Sequence, residues 1–273
     1  MPTLESNGIS LSYTDSGGDG RPVVLIHGWP LSGASWSAQV PALTAAGYRV
    51  ITYDRRGFGE SDKPADGYDY DTFSEDLAGL LDHLDVADAT LVGFSMGGGE
   101  VARYLGTRGS QRIRSAVLAG AVPPFLLKTD DNPDGGLGDD DIAGMKNGAK
   151  DDREGFLDGF ATGFFSAGDD LVVTEAQRQE ALELAKPARD EALLACIDAF
   201  GRTDFRGDLA KIDVPVLVIH GDSDGIVPFE VSGKRSAESI EGATLHVVAG
   251  GPHGFNVSHA EELNTALLDF LQA

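Results

Sequence analysis

The sequence predicts an α/β fold in which a mostly parallel central sheet is flanked by helices on both faces. Three observations support this prediction. Short apolar runs rich in β-branched residues alternate with longer segments of helical periodicity along most of the chain. The run Val23–Ile26 is apolar at every position, which is typical of a parallel strand covered on both faces. The 273 residues suffice for one large domain, or for one domain that carries an insertion.

The individual elements are predicted in chain order. Asn7 and Gly8 separate two short runs, so the chain up to about residue 15 is expected to form an antiparallel hairpin at the sheet edge. Strands are predicted next at Val23–Ile26, Tyr48–Tyr53, Ala89–Phe94, Ile113–Leu118, Val214–Ile219 and Ala243–Val248. Helices are predicted at Ser35–Ala46, Thr72–Leu84, Met96–Thr107, Phe229–Ile240 and Ala260–Leu271.

The alternation of strands and helices stops between residues 122 and 209. This segment opens with Pro123-Pro124, continues through an acidic, glycine-rich stretch, and then shows helical patterns that contain several phenylalanines. No strand-like run occurs in it. We therefore predict a helical cap insertion at 122–209 on a core formed by 1–121 and 210–273. Its aromatic positions are expected to pack onto the core and enclose a pocket.

The composition restricts the partners and the location of the protein. A formal net charge of −23 disfavours nucleic acid and anionic membranes, because phosphate binding requires clustered cations. No run approaches the ~20 apolar residues of a membrane span. Cys196 is the single cysteine and lies in an apolar helical pattern, which predicts a buried thiol and no disulfide. Because Met1–Glu5 also lacks the pattern of a secretory signal, the sequence predicts a cytoplasmic protein.

The sequence predicts neither a metal nor a cofactor. Asp139–Asp141 form an acidic run without the alternating spacing and closing Glu of a calcium loop, so a solvated surface is preferred to a calcium site. The chain contains no H-E-x-x-H motif, and its glycines do not form the G-x-G-x-x-G pattern of dinucleotide binding.

The candidate nucleophile is Ser95, at the centre of the motif Gly93-Phe94-Ser95-Met96-Gly97. The motif follows a predicted strand and opens a predicted helix, which is the context of a G-x-S-x-G nucleophile elbow. The sharp turn brings backbones close together and so requires the two flanking glycines. The elbow therefore predicts nucleophilic catalysis, whereas the alternative is a plain glycine-rich turn between strand and helix.

A serine hydroxyl needs a base, and His253 is the best candidate for it. It lies among glycines and a proline in the loop after the last predicted strand, where it can reach another loop. His27 is expected to shape the oxyanion loop instead, and His259 to serve as a helix cap or surface group. The remaining histidines lie on a helix, at a strand end and within a strand: His83, His220 and His246.

The acid that orients the base is expected in the loop after the strand Val214–Ile219. This loop contains both Asp222 and Asp224, and spacing alone leaves both open.

Two backbone N–H groups are required for an oxyanion hole. One is expected from Met96, the residue after the nucleophile. The other is expected from the loop His27-Gly28-Trp29-Pro30, where Pro30 has no N–H and leaves Trp29 as the donor. The Trp29 ring is also expected to form a wall of the acyl pocket.

With these residues in place, the chain resembles the bacterial aryl esterases and cofactor-free haloperoxidases (perhydrolases) of the α/β-hydrolase superfamily. The resemblance spans nearly the whole chain. It includes the elbow and the segments His27–Pro30, Asp54–Ser61, Thr203–Arg206, His220–Phe229 and Pro252–Phe255. The cap between Phe125 and Asp152 departs most from the family pattern.

The resemblance implies an α/β-hydrolase fold, Asp224 as the triad acid, and Asp222 as a brace of its loop. It implies an acyl pocket lined by Phe160, Phe164, Phe200, Ile226 and Val227, with Trp29 and Pro30 as further substrate-binding residues. The implied activity is hydrolysis of small aryl or short-chain acyl esters. Pro30 matches the members that favour perhydrolysis, in which peroxide releases the acyl group as a peracid. Relatives also hydrolyse γ-lactams and often assemble, so amidase activity and a homo-oligomer are further expectations.

The same residues bear on other classes of protein. Haloalkane dehalogenases and epoxide hydrolases of this fold carry Asp at the elbow, so Ser95 argues against both. An acyltransferase would use the same triad. A non-catalytic ligand-binding protein is the remaining alternative, because fold alone does not establish function.

Overall fold

The computed structural model describes residues 1–273 and contains ten strands. They are β1 (Thr3–Ser6), β2 (Ile9–Asp15), β3 (Pro22–Ile26), β4 (Arg49–Tyr53), β5 (Ala89–Phe94), β6 (Ile113–Ala119), β7 (Ser166–Ala167), β8 (Asp170–Leu171), β9 (Val216–Gly221) and β10 (Thr244–Val248). Eight of them form one sheet in the order β1-β2-β4-β3-β5-β6-β9-β10. The hairpin β1–β2 is antiparallel and lies at one edge, as predicted, and β2 also pairs antiparallel with β4. The other five pairs of this sheet, β4–β3, β3–β5, β5–β6, β6–β9 and β9–β10, are parallel.

Eleven helices accompany the strands. They are α1 (Gln39–Ala45), α2 (Tyr70–His83), α3 (Met96–Arg108), α4 (Asp139–Asp151), α5 (Arg153–Phe164), α6 (Glu175–Ala185), α7 (Asp190–Arg202), α8 (Arg206–Leu209), α9 (Gly233–Ser239), α10 (Phe255–Ser258) and α11 (Ala260–Gln272). None of them is long and apolar enough to cross a membrane. The predicted α/β-hydrolase architecture is confirmed.

Two predicted helices are interrupted in the structure. The segment predicted at Ser35–Ala46 divides into a 3₁₀ turn at Gly33–Trp36 and helix α1. The segment predicted at Phe229–Ile240 divides at Ser232, whose φ of −131° and ψ of −85° are not helical. The Ser232 hydroxyl donates to the carbonyls of Ala121 and Pro123, and this bond to the neighbouring loop competes with helix formation.

The segment between β6 and β9 is helical, with one exception that the sequence prediction missed. Strands β7 and β8 form a small antiparallel hairpin around Gly168, which has a φ of +62°. Two residues per strand are too few to show a period of two in the sequence. The hairpin reaches the core, because Ala167 forms an isolated β-bridge with Asp224. The bounds 122–209 remain the predicted limits of the cap.

The acidic run of the cap begins helix α4. Asp139, Asp140 and Asp141 occupy its first turn, where carboxylates interact favourably with the helix dipole. Asp141 accepts a hydrogen bond from the Gly138 amide, and Asp139 pairs with Arg202. On α7, Cys196 is buried as predicted, and burial raises the pKa of its thiol to about 12.

Candidate active site

Ser95 lies at a sharp turn between β5 and α3, with a φ of +54° and a ψ of −119°. A positive φ is costly for a residue with a side chain, so the surrounding structure must hold it in place. The flanking glycines permit this geometry. A Cβ on Gly93 would lie 2.4 Å from the carbonyl oxygen of Gly97, and one on Gly97 would lie 2.4 Å from that of Ile26. The strand–turn–helix context predicted for the elbow is therefore present.

The structure brings Ser95, His253 and Asp224 into one hydrogen-bonded chain. The Ser95 hydroxyl lies 2.8 Å from His253 Nε2, and His253 Nδ1 lies 2.7 Å from Asp224 Oδ2. The three residues follow β5, β10 and β9, whose carboxyl ends meet at one edge of the sheet. All three are buried, with Ser95 6% exposed. This arrangement can transfer the serine proton to the imidazole and stabilise the imidazolium that forms.

The two candidate acids occupy different environments. Asp224 is buried, and its Oδ1 accepts the amides of Ile226 and Val227 at 2.9 and 2.8 Å. Burial acts to raise the pKa of this carboxyl, but the interactions with His253 and His220 outweigh it and hold the pKa well below its usual range. Asp222 is exposed and accepts the Gly250 amide at 2.7 Å, which ties its loop to the one that carries His253. Geometry thus favours Asp224 as the partner of His253.

The loop after β3 passes directly beside the nucleophile. A Cβ on Gly28 would lie 3.0 Å from Ser95 Cβ and 2.9 Å from the Phe94 ring, so a side chain there would collide with the elbow. The amides of Trp29 and Met96, predicted as oxyanion donors, form no hydrogen bond within the protein. Gly28 was not singled out from the sequence, although its position between His27 and Trp29 was the available signal.

A buried ion pair lies beneath this loop. Arg55, in the loop after β4, donates through its backbone amide to His27 Nε2 at 2.9 Å and through its guanidinium to the His27 carbonyl at 2.8 Å. The same guanidinium pairs with Glu100 of α3 at 2.8 Å, and both side chains are at most 1% exposed. Burial raises the pKa of Glu100, and the positive charge of Arg55 opposes that effect. His27 thus shapes the loop as expected, and Arg55 and Glu100 join the loop to the nucleophile helix.

A cavity of about 500 Å³ opens beside Ser95. Of the predicted pocket residues, those that line it are Trp29, Phe160, Phe200, Ile226 and Val227. The Trp29 ring contacts those of Phe160 and Phe200 edge-on, with centroids 5.0 and 5.5 Å apart. Further apolar lining comes from residues that no sequence motif indicated: Val122, Leu126, Leu137 and Met145. Asp140 and Asp141 also border the cavity. Several of these belong to the cap segment that resembles the family least.

Two residues predicted for the pocket, Phe164 and Pro30, do not line the cavity. Phe164 is 2% exposed and packs against the His253 ring, with centroids 5.3 Å apart, and is not part of the cavity lining. Its carbonyl accepts the Gly254 amide at 2.6 Å, so it supports the histidine loop. Pro30 is buried, follows a cis peptide bond, and is also not part of the cavity lining. Position in the sequence did not distinguish residues that line the cavity from buried residues that do not.

The fold and this hydrogen-bonded array define a serine hydrolase. The chain belongs to the alpha/beta hydrolase fold family, which matches residues 21–260. It is 47% identical over 268 residues to a non-heme chloroperoxidase of Kitasatospora aureofaciens, covering 97% of both chains. It is 38% identical to a bifunctional esterase/perhydrolase of Acinetobacter calcoaceticus, covering 98% of both. The crystal structure of a bromoperoxidase from Bacillus anthracis superimposes with a TM-score of 0.95 at 56% identity, covering 97% of this chain and 96% of the other. The resemblance inferred from sequence motifs is confirmed.

Proposed function

We propose that this protein is a carboxylic-ester hydrolase that acts on small aryl or short-chain acyl esters through an acyl-enzyme. The observation that carries the proposal is the chain from Ser95 to His253 to Asp224, which opens onto an apolar cavity of about 500 Å³. The relatives named esterase/perhydrolase and non-heme chloroperoxidase support the same class of chemistry.

In the proposed mechanism, His253 Nε2 takes the Ser95 proton as the serine oxygen attacks the ester carbonyl. The amides of Trp29 and Met96 stabilise the oxyanion, and such a donor typically contributes about 10²–10³ in turnover. The imidazolium returns its proton to the leaving alcohol. Water, deprotonated by His253, then attacks the acyl carbon, and the proton returns to Ser95 as the acid leaves.

The residues that line the cavity favour a substrate with a small apolar acyl group. Aromatic and aliphatic side chains from both the core and the cap surround the space next to Ser95. A pocket of this kind favours substrates by burying apolar area, while the few polar groups fix their orientation.

A second activity, perhydrolysis, is favoured by the relatives' names and by Pro30. Hydrogen peroxide would replace water in the second half-reaction: His253 takes a peroxide proton, the peroxide oxygen attacks the acyl carbon, and Ser95 leaves with that proton. The product is a peracid, which oxidises halide in solution. Because proline fixes φ, Pro30 constrains the position of its own carbonyl beside the oxyanion loop.

The test is a panel of p-nitrophenyl esters of graded acyl length, assayed with and without hydrogen peroxide. We expect the highest kcat/KM for the short acyl chains, and peracid formation only when peroxide is present. Absence of ester turnover across the panel would contradict the proposal. Assays with γ-lactams and with alcohol acceptors test the amidase and acyltransferase alternatives on the same site, and the homo-oligomer and the cytoplasmic location remain predictions.

A further inference from the structure

A second histidine contacts the carboxylate that receives His253. His220, near the end of β9, is completely buried. Its Nε2 lies 2.8 Å from the Val227 carbonyl oxygen and 3.2 Å from Asp224 Oδ2. Its Nδ1 is buried without a hydrogen-bond partner. Because a carbonyl and a carboxylate only accept, the geometry places a proton on Nε2 and leaves Nδ1 bare.

We propose that His220 is a positioning residue, whose Nε2–H donates to the Val227 carbonyl and, at the longer distance of 3.2 Å, also restrains Asp224 Oδ2 in the orientation that receives His253 Nδ1. The inference rests on the proposed function, because it assigns to Asp224 the role of orienting a catalytic histidine. His220 does not touch the reacting atoms and is expected to act only through Asp224.

The contacts of Asp224 explain why a second donor is needed. Oδ1 is fixed by the amides of Ile226 and Val227. Without His220, Oδ2 would be held only by His253, the group that it has to orient, and the carboxylate could turn about its anchored oxygen. The His220 Nε2–H, 3.2 Å from Oδ2, restricts this freedom. A carboxylate fixed at both oxygens is preorganised before substrate binds.

His220 is itself rigidly held. A Cβ on Gly233 would lie 2.5 Å from His220 Nδ1, so the backbone at the start of α9 packs directly on the imidazole. The Phe229 ring lies on another side, with centroids 5.9 Å apart. The ring therefore cannot move away from Asp224 without displacing α9, and close packing transmits this constraint to the carboxylate.

The arrangement also affects the charge available to His253. The titratable groups that contact Asp224 are His220 from β9 and His253 from the loop after β10. His253 in turn contacts Ser95 and Asp224, and the rings of Phe94 and Phe164 pack against it. If the donor to Oδ2 is removed, more of the negative charge of the Asp224 carboxylate acts on His253. The imidazolium that forms during the reaction would then be stabilised more strongly, and the pH dependence of kcat/KM is the measurement that reports it.

The experiment compares His220→Gln with His220→Met, two side chains of nearly the same shape. Gln keeps an N–H near the position of Nε2, whereas Met provides none. We expect Met to lower kcat/KM for ester hydrolysis about 10–100-fold, because small displacements of catalytic groups have effects of that size. We expect Gln to stay within about 3-fold of wild type. The acidic limb of the kcat/KM profile should move to higher pH by roughly 0.5 unit or more in the Met variant only.

Equal turnover in the two variants, or superimposable pH profiles, would overturn the proposal. A histidine that only braced the Val227 carbonyl could lower turnover in the Met variant, but it would not move the acidic limb of the profile. ¹⁵N NMR of the wild-type protein gives a second readout that does not depend on variant folding. We expect His220 protonated on Nε2, and protonation on Nδ1 would contradict the assignment. Failure of the proposed function is distinguishable, because it would appear as full ester turnover in Ser95→Ala.

Discussion

The loops at the carboxyl edge of the sheet and the cap that covers them are built differently. The edge loops hold Ser95, His253 and Asp224 through buried hydrogen bonds, and each of these residues is at most 6% exposed. The cap contributes apolar contacts from half-buried rings such as Phe160, together with exposed carboxylates on α4. Hydrogen bonds with fixed geometry suit a reaction, whereas apolar contacts tolerate changes of shape. We therefore propose that the core carries out the reaction, and that the cap, together with the core residues that line the cavity, selects its substrates.

Loss of the nucleophile should give the largest effect. Ser95→Ala is expected to reduce ester turnover by roughly 10⁴-fold or more, because the serine, base and acid act as a unit. Labelling with a fluorophosphonate, measured by intact mass, should occur in wild type and disappear in the variant. Turnover that survives the substitution would mean that the edge loops do not determine the reaction.

Substitution of the two aspartates in the loop after β9 tests which of them orients His253. Asp224→Asn should lower kcat about 10³–10⁴-fold, because an amide favours the wrong tautomer of His253. Asp222→Asn is the matched control, and its loss should stay below about 10-fold, since Asp222 binds only the Gly250 amide among the backbone groups. Steady-state kinetics on both variants measures the two losses of kcat. A larger loss in Asp222→Asn than in Asp224→Asn would assign the role of triad acid to Asp222.

The ion pair under the oxyanion loop should affect stability more than surface pairs do. Glu100→Gln leaves the Arg55 guanidinium buried without a counter-charge, and we expect a loss of about 3–5 kcal/mol in the free energy of unfolding. Glu75→Gln is the control, because its pair with Arg108 spans 3.7 Å between exposed side chains. That change should cost less than about 1 kcal/mol. Denaturant unfolding of both variants would show equal losses if burial were unimportant.

A truncation in the cap should change the substrate preference and leave the reaction intact. Phe160→Ala enlarges the cavity, so KM for short acyl esters should rise about 10-fold while longer chains are accepted better. Phe156→Ala on the same helix is the control. Its ring lies 6.2 Å from that of Trp29 and does not line the cavity. An equal drop of kcat for all chain lengths in Phe160→Ala would show that the cap also supports the chemistry.

The smallest expected effect is on the choice between water and peroxide. Pro30→Leu removes the constraint on φ beside Trp29, and we expect the ratio of perhydrolysis to hydrolysis to fall by a few-fold. The ratio is obtained from peracid and acid formed in the same assay. An unchanged ratio would separate Pro30 from the proposed second activity.

Sequence reasoning was most effective where backbone geometry dictates residue type. The elbow glycines were predictable because the Ser95 turn excludes side chains on both flanks, and the core strands because they are apolar at nearly every position. Pairings between distant residues were not predictable. Arg55 and Glu100 meet only after β4 and α3 are placed side by side.

The cap was the least predictable region. Phe164 and Phe160 are four residues apart on α5, yet one packs against His253 and the other lines the cavity. Their burial depends on how the helix sits on the core, which no local pattern records. The hairpin β7–β8 was missed for the related reason that it consists of only two residue pairs, which leave no periodic pattern in the sequence.

The position of the cap in the chain has a consequence for folding. Strands β6 and β9 pair in parallel, and the whole segment from 120 to 215 must be accommodated before that pairing closes. Contacts between residues so far apart in sequence form slowly, because chain entropy is lost before the contact compensates for it. Ser95 and His253 are 158 residues apart and meet only when this closure is complete. Recovered ester turnover during refolding would therefore show that this closure has taken place.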